Sequence, residues 1–219
     1  MSFELSSIQE QNMTTRDSNS TQSDMLGLIM KFDTLPEIIV RSYARQLVDA
    51  LECLHDQRIA HGDLNLESVL LDDNLCLRLS DVRASSGLAE GVCEREHDAF
   101  SADIFSLGVT IFELYCGHSP FEKNSLEDPI YSLIAEGVWE EFWAVHEEIC
   151  SYKGVILHTH IKEFLPSLLH PERPSIKEIK NFTWMKKTCI EPLKVESWLV
   201  EIAKKRNIEL SFPSPVSSA

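Results

Sequence analysis

Two aspartates, Asp63 and Asp81, have the spacing and surroundings that a catalytic site would require. Asp63 lies in the segment HGDLNLES, which covers residues 61–68, and Asp81 follows eighteen positions later. Phosphoryl transfer to a hydroxyl needs one carboxylate to accept the substrate proton and another to hold Mg²⁺ against the nucleotide phosphates. The pair is therefore a candidate site for that chemistry. Taken without other motifs, His61 and these aspartates are also typical of loop caps and turns.

The elements on either side of residues 61–68 are a helix and a hairpin. Thr34 and Glu37 read as a capping box with Pro36 in the first turn, and an apolar stripe then predicts a helix that ends near His55. Two short β-rich runs, 69–71 and 75–79, are joined by Asp-Asp-Asn, which indicates a turn. The candidate segment is therefore the loop between a helix and a hairpin.

The rest of the ordered chain has helical periodicity. Residues 101–116 are apolar on nearly every face and predict a buried helix that Gly117 ends. Further helices are expected over about 126–135 and 160–169, then after a capping box at Ser175 and Glu178, and last around a stripe formed by Val195, Trp198, Leu199 and Ile202. Trp184 and Trp198 are predicted to be core aromatics. The expected fold class is mainly α with one small hairpin.

Composition limits the partners and the compartment. The formal net charge of −15 repels phosphate backbones and anionic lipid, which argues against nucleic-acid and membrane partners. Six cysteines without a CxxC pair predict free, mostly buried thiols. The N-terminus has no signal-peptide pattern, and the longest apolar stretch is too short and too polar to span a bilayer. A cytoplasmic or nuclear protein is expected, with disordered tails at 1–24 and 211–219.

Residues 60–79, AHGDLNLESVLLDDNLCLRL, resemble the catalytic loop and following hairpin of serine/threonine protein kinases. The likeness continues in ADIFSLGVTIFELYCGHSPF at 102–121 and in HPERPSIKEI at 170–179, while DPIYSLI and EEFW resemble the calmodulin-dependent and AMP-activated group. The resemblance implies a kinase C-lobe over 25–187 with a helical extension over 188–210. The first 25 residues contain no glycine and no strand pattern, which predicts that the N-lobe is missing.

The resemblance also assigns roles to single positions. Asp63 corresponds to the catalytic base and Asp81 to a Mg²⁺ ligand, and Leu70 lies at the floor of the nucleotide site. His61 and Asp103 would be structural parts of the catalytic loop, with Asp103 bracing it from the buried helix. Arg173 would pair with the glutamate of Ala-Pro-Glu, which best fits Glu90. Mg-ATP is the cofactor that the family implies.

Several family positions are substituted here. Asn65 stands where the family has the lysine that steadies the transferred phosphate, and Ser68 stands where an asparagine binds a second Mg²⁺. Gly62 replaces an arginine, and Val82-Arg83 replace Phe-Gly. Only nine positions separate Asp81 from Glu90, which predicts a truncated activation segment. Weak or absent Mg-ATP binding is therefore expected.

Three functions remain open at this point: a non-catalytic kinase-like protein that binds or scaffolds a protein partner, an active serine/threonine kinase whose missing parts come from elsewhere, and a decaying fragment without function. His158 and His160 are two positions apart, a spacing that metal ligands can have, but no cysteine or carboxylate beside them completes a set of metal ligands. They are predicted to be surface histidines.

Overall fold

The computed structural model describes residues 23–82 and 93–209, with the backbone alone over 93–98. In chain order, the elements within these ranges are β1 (Ser23–Asp24), α1 (Met25–Phe32), α2 (Glu37–Asp56), β2 (Val69–Leu71), β3 (Leu77–Leu79), α3 (Cys93–Cys116), α4 (Pro129–Glu136), α5 (Trp139–Tyr152), α6 (Thr159–Leu169), α7 (Ile176–Ile179), α8 (Thr183–Lys186), a 3-10 turn (Pro192–Lys194) and α9 (Val195–Arg206). The predicted class, mainly α with a small β element, is confirmed.

Helix α3 is the central element of the core. It packs against α2 and α6, and Leu107, Ile111 and Leu114 on it are fully buried. A Cβ added at Gly108 would lie 2.9 Å from Cβ of Leu168, so glycine allows α3 and α6 to approach closely. The stretch 99–116 is long and apolar enough to cross a membrane, so the prediction that it is too short and too polar is wrong, but 61% of it is buried within the protein. Its apolar character is that of a core helix.

The predicted helix end at Gly117 is confirmed. Gly117 has a φ of +70°, a conformation that costs a residue with a side chain 1 kcal/mol or more, to order of magnitude. A Cβ there would lie 2.0 Å from the backbone oxygen of Asp33, so the close approach of the chain also requires glycine.

The sheet has three strands where the sequence predicted a two-stranded hairpin. Its order is β1-β2-β3, and both pairs are antiparallel. Ser23 and Asp24, predicted to end a disordered tail, pair instead with Leu71 and Leu70. Strand β3 begins at Leu77 rather than Leu75, because Leu75 has a φ of +58° and belongs to the turn.

The start of α2 differs from the prediction. Pro36 is the N-cap residue and no side chain caps the helix, so the capping box expected from Thr34 and Glu37 is wrong. The Glu37 carboxylate instead accepts the indole N–H of Trp184 at 2.9 Å and a hydrogen bond from Arg41. Trp184, a tertiary partner, and Arg41, one turn along the same helix, compete successfully with the local cap. The second predicted box, at Ser175 and Glu178, is confirmed.

Helix α5 was not predicted. Its sequence, WEEFWAVHEEICSY, places Phe142, Trp143, His146 and Cys150 on the buried side, where the first three surround Phe112 of α3. The aromatic and acidic residues of this segment do not repeat at a regular helical spacing, so the sequence gave no strong periodic signal for a helix.

The two tryptophans behave differently. Trp184 is 1% exposed and stacks on Phe164 with ring centroids 4.9 Å apart, as predicted. Trp198 is 44% exposed, so its assignment to the core is wrong. Helix α9 buries Val195, Leu199 and Ala203 instead, a narrower stripe that leaves position 198 at its edge.

Five cysteines in the described part of the chain are free thiols. Cys116 and Cys150 are buried, whereas Cys53, Cys76 and Cys189 are partly exposed. The prediction of free thiols therefore holds for these five, but most of them are not fully buried.

Candidate functional site

The loop 61–68 is held from below by a buried carboxylate on the central helix. Asp103 is 1% exposed, and its two oxygens accept the backbone N–H groups of His61 at 2.7 Å and Gly62 at 2.9 Å. The ring Nε2 of His55, at the end of α2, lies 2.9 Å from Oδ2 of the same carboxylate. One side chain therefore joins α2, α3 and the loop, and the structure places Asp103 where the resemblance expects the bracing residue.

His61 is a fully buried part of the same loop. Its Nδ1 lies 3.3 Å from the backbone N–H of Asp63, which donates to it. Burial lowers the pKa of His61, although nearby carboxylates, chiefly that of Asp103, act in the opposite direction. A neutral ring that accepts a hydrogen bond fixes the backbone just before Asp63.

Asn65 and Ser68 close a small hydrogen-bonded turn upon themselves. The Ser68 hydroxyl donates to the backbone oxygen of Asn65 at 3.0 Å and accepts the Asn65 N–H at 3.0 Å. The Asn65 side-chain oxygen accepts the N–H groups of Glu67 and Ser68 at 2.9 and 3.1 Å. Its amide nitrogen donates to the backbone oxygen of Asp63 at 3.1 Å. The polar atoms of both side chains are engaged within the loop itself.

The two candidate carboxylates, Asp63 and Asp81, come before and after this turn in the chain. Asp63 is half-buried, and Asp81 is exposed just beyond β3. Asp81 has a φ of +57°, an uncommon conformation for a residue other than glycine. Its Oδ2 accepts the hydroxyl of Ser80 at 3.0 Å. The carboxylates of Asp63 and Asp81 both act to raise the pKa of His61, against the larger lowering by burial.

Leu70 does not form an open nucleotide floor. If the N-lobe is missing, as the kinase resemblance implies, the floor around Leu70 and Asp81 should be exposed or occupied by another chain, but Leu70 is 2% exposed. It lies in the middle strand of the sheet, paired with Asp24 of β1 and Arg78 of β3. The exposure expected at Leu70 is therefore wrong, and the added strand is one physical reason. Asp81 is exposed, as expected.

Arg173 makes contacts other than the predicted ion pair. Its Nη1 donates to the hydroxyl of Ser101 at 2.8 Å, and its guanidinium lies 4.9 Å from the ring centroid of Phe105. Burial lowers the pKa of Arg173. Glu90, the predicted partner, lies outside the described residues, and so does Arg83.

His158 and His160 lie near different carboxylates. His158 Nε2 is 3.9 Å from Glu37, and His160 Nδ1 is 3.5 Å from Glu163 in the next turn of α6. Among residues 24–82 and 99–209, whose side chains the structure describes, no three His, Cys, Asp or Glu side chains are grouped so as to hold a metal ion.

The donor set at the loop does not fit the metal arrangement that the family implies. Mg²⁺ requires several oxygen ligands in near-octahedral geometry. Ser68 is 3% exposed, and the donor and one acceptor site of its hydroxyl are already used within the turn. Asp81 is left as the one predicted ligand with an accessible carboxylate among the described positions. The residues present therefore do not form a two-metal site.

Sequence reasoning missed two contributors to this site. His55 was expected only at the end of a helix, but it bonds to Asp103, 48 positions away. The Ser80 hydroxyl lies 3.1 Å from the backbone oxygen of Ser68 and 3.0 Å from Oδ2 of Asp81, so its one proton serves either acceptor. No local pattern signals contacts across such separations.

Comparison with known proteins finds protein kinases among the relatives of this chain. No protein-family model matches the chain. It is 34% identical over 120 residues to mitogen-activated protein kinase kinase kinase ANP1 of Arabidopsis thaliana, covering 46% of this chain and 18% of that protein. It is 28% identical over 183 residues to the cell cycle serine/threonine-protein kinase CDC5/MSD2 of Saccharomyces cerevisiae, covering 75% of this chain and 25% of that protein. The chain thus spans a quarter or less of the length of these relatives.

A solved structure has the same fold. The crystal structure of Rad53 1-466 in complex with AMP-PNP matches with a TM-score of 0.54 and 21% identity, over 74% of this chain and 44% of that chain. At this identity the match concerns the fold alone. Together with the sequence relatives, it confirms the resemblance to serine/threonine protein kinases and their C-lobe, while the narrower calmodulin-dependent and AMP-activated group stays a prediction.

Proposed function

Because this chain carries a protein-kinase-like domain, we propose that it acts as a pseudokinase: a protein that binds or scaffolds a protein partner and transfers no phosphate by itself. The observation that carries the proposal is the closed turn of Asn65 and Ser68. Neither side chain offers a positive charge or a free metal ligand to a nucleotide, since both are bonded within the loop. Removing one electrostatic group from an active site costs about 3 kcal/mol in transition-state stabilisation.

The chain retains a framework suited to binding. The loop 61–68 is anchored through Asp103 to two long helices, so the domain can be rigid without being catalytic. The net charge of −15 supports a protein partner over nucleic acid. Free thiols in the described part of the chain support a cytoplasmic or nuclear location.

An active serine/threonine kinase is the second candidate. The retention of Asp63 and Asp81 around His61 favours it, because these are the family's base and metal positions. In that case the N-lobe and the activation segment would be supplied by sequence outside this chain or by another chain. The protein would then use Mg-ATP, as the family does.

Phosphate transfer distinguishes the two candidates. The full 219-residue chain is incubated with Mg²⁺, γ-labelled ATP and a mixture of Ser/Thr peptides, beside Asp63→Asn as the matched negative control. We expect equal background label for both proteins. Transfer that disappears in Asp63→Asn would establish the kinase and refute the pseudokinase.

Nucleotide binding is measured separately by thermal unfolding. A ligand stabilises the folded state by RT ln(1 + [L]/Kd), so a protein that does not bind shows no change in Tm. We expect no increase in Tm at millimolar Mg-ATP for the natural chain. A rise of several degrees that requires Asp81, tested with Asp81→Asn, would contradict the assignment of weak or absent binding.

A further inference from the structure

Helix α5 presents apolar side chains to solvent. Val145, Ile149 and Tyr152, here called the α5 stripe, are 39%, 37% and 85% exposed. Their spacing of four and then three residues places them on one face of the helix. Ile156, beyond the helix end, is 69% exposed. Several exposed apolar residues in one row indicate an interaction surface, whereas single ones need no explanation.

The stripe is not required to hold α5 in place. The buried side of the helix is formed by Phe142, Trp143, His146 and Cys150. Phe142 packs edge-on against Phe112, with ring centroids 5.9 Å apart. The helix is therefore anchored by a different side and offers the stripe as a preformed surface.

The stripe is bordered by negative charge. Helix α5 contains four glutamates and neither lysine nor arginine. Glu147 pairs with Lys162 of α6. Glu140, Glu141 and Glu148 are exposed, and no ion pair is formed by them within the part of the chain that the structure describes. Glu141 precedes Val145 by four residues and Glu148 precedes Tyr152 by four, so these two carboxylates line the stripe.

We propose that the α5 stripe docks a basic amphipathic helix of a partner protein. Such a helix would place apolar residues at i, i+4 and i+7 against the stripe and lysine or arginine against the flanking glutamates. Seven residues of α5 span about 10 Å, so about three turns of partner helix suffice. This inference names the partner chemistry of the proposed scaffold function and rests on it. Peptide binding and phosphate transfer are separate measurements, so either proposal can fail alone.

The test uses a labelled peptide of about 18 residues with leucine at helical spacing and lysine on its other positions. Its control has glutamate in place of every lysine. Fluorescence anisotropy with the full chain should show binding of the lysine peptide alone. Raising the salt from about 50 to 300 mM should weaken that binding several-fold, because the charges are exposed. Equal binding of the two peptides would overturn the proposal.

Variants locate the site. Ile149→Ser with Tyr152→Ser should weaken binding about tenfold or more, since apolar anchors dominate such interfaces. Glu141→Lys with Glu148→Lys should weaken it by a similar factor. Circular dichroism and Tm establish that both variants are folded.

The matched control is Glu172→Lys with Glu209→Lys, which changes the net charge equally at exposed positions outside α5. We expect its Kd to stay within about threefold of the natural chain, because local rather than total charge guides docking. A control that weakens binding as much as the α5 variants would refute the site. Sedimentation that shows a dimer, lost in the Ile149/Tyr152 variant, would also refute it by identifying a second copy as the occupant.

Discussion

His146 should make the stability of this protein depend on pH. The residue is 2% exposed and lies between the rings of Phe112 and Phe142, with centroids 4.7 and 4.4 Å away. Its Nδ1 is 3.0 Å from Nε2 of His118, whose Nδ1 is 3.1 Å from the backbone oxygen of Cys116. The carbonyl can only accept, so Nδ1 of His118 donates to it. Burial lowers the pKa of both histidines, so both rings are neutral near pH 7 and Nε2 of His118 accepts a hydrogen bond from Nδ1 of His146.

The magnitude follows from the pKa of His146. This pKa is lowered to about 4, from 6.5 for an ordinary histidine, chiefly by burial and next by the neighbouring His118. The unfolded chain thus binds a proton at His146 more readily than the folded chain. The contribution to stability is complete above about pH 6.5 and is lost as the pH falls towards 4. Between pH 7.5 and 4.5 the loss is about 2.5 kcal/mol from this residue.

The assay is urea unfolding of the natural chain and His146→Asn at several pH values across that range. The asparagine amide can still donate to His118, but it does not titrate. We expect the variant to be less stable at pH 7.5 by about 1–3 kcal/mol, because it loses ring contacts. The difference should shrink or reverse by pH 4.5, because only the natural chain takes up the extra proton on unfolding.

His158→Asn is the control for replacing an exposed histidine, since the His158 side chain is 56% exposed. At pH 7.5 its free energy of unfolding should differ from that of the natural chain by well under 1 kcal/mol. Curves for His146→Asn and the natural chain that run parallel across the pH range would refute the argument, because they would mean that His146 has the same proton affinity in the folded and unfolded states.

Other substitutions test the packing and the loop anchor, each by urea unfolding. Gly117→Ala should lower the free energy of unfolding by about 3 kcal/mol or more, because its Cβ would meet backbone atoms. Gly154 has a φ of +69° but open space around it, so Gly154→Ala should lower it by about 1 kcal/mol. Equal losses would contradict this reasoning. Asp103→Asn should lower the free energy of unfolding by about 3 kcal/mol and speed hydrogen exchange of the backbone amides in the loop 61–68, because a carboxamide cannot accept all three hydrogen bonds. Unchanged exchange rates would show that Asp103 does not anchor the loop. Trp184→Ala should cost about 3–5 kcal/mol, and Trp198→Ala, at the surface, well under 1 kcal/mol; similar losses would show that both are core residues.

Much of the fold could be predicted because local sequence patterns determine where many of its helices begin and end. Apolar periodicity gave α2 and α3, the capping box at Ser175 gave α7, and Gly117 gave the end of the central helix. These signals depend on residues within one or two turns of each other. Prediction failed where a tertiary contact competed with a local one: the Glu37 carboxylate accepts a hydrogen bond from Trp184 instead of capping its own helix.

The candidate site likewise has features that the sequence predicted and features that only the structure revealed. The sequence by itself identified the loop 61–68, its aspartates and the substituted positions Asn65 and Ser68, since residue type and order are all that a motif requires. Only the tertiary structure decided that Asp103 joins the loop to His55 and that Leu70 is buried. It alone also determined which side of α5 faces solvent. Burial and long-range hydrogen bonds depend on residues far apart in the chain, and no local pattern encodes which of them will meet.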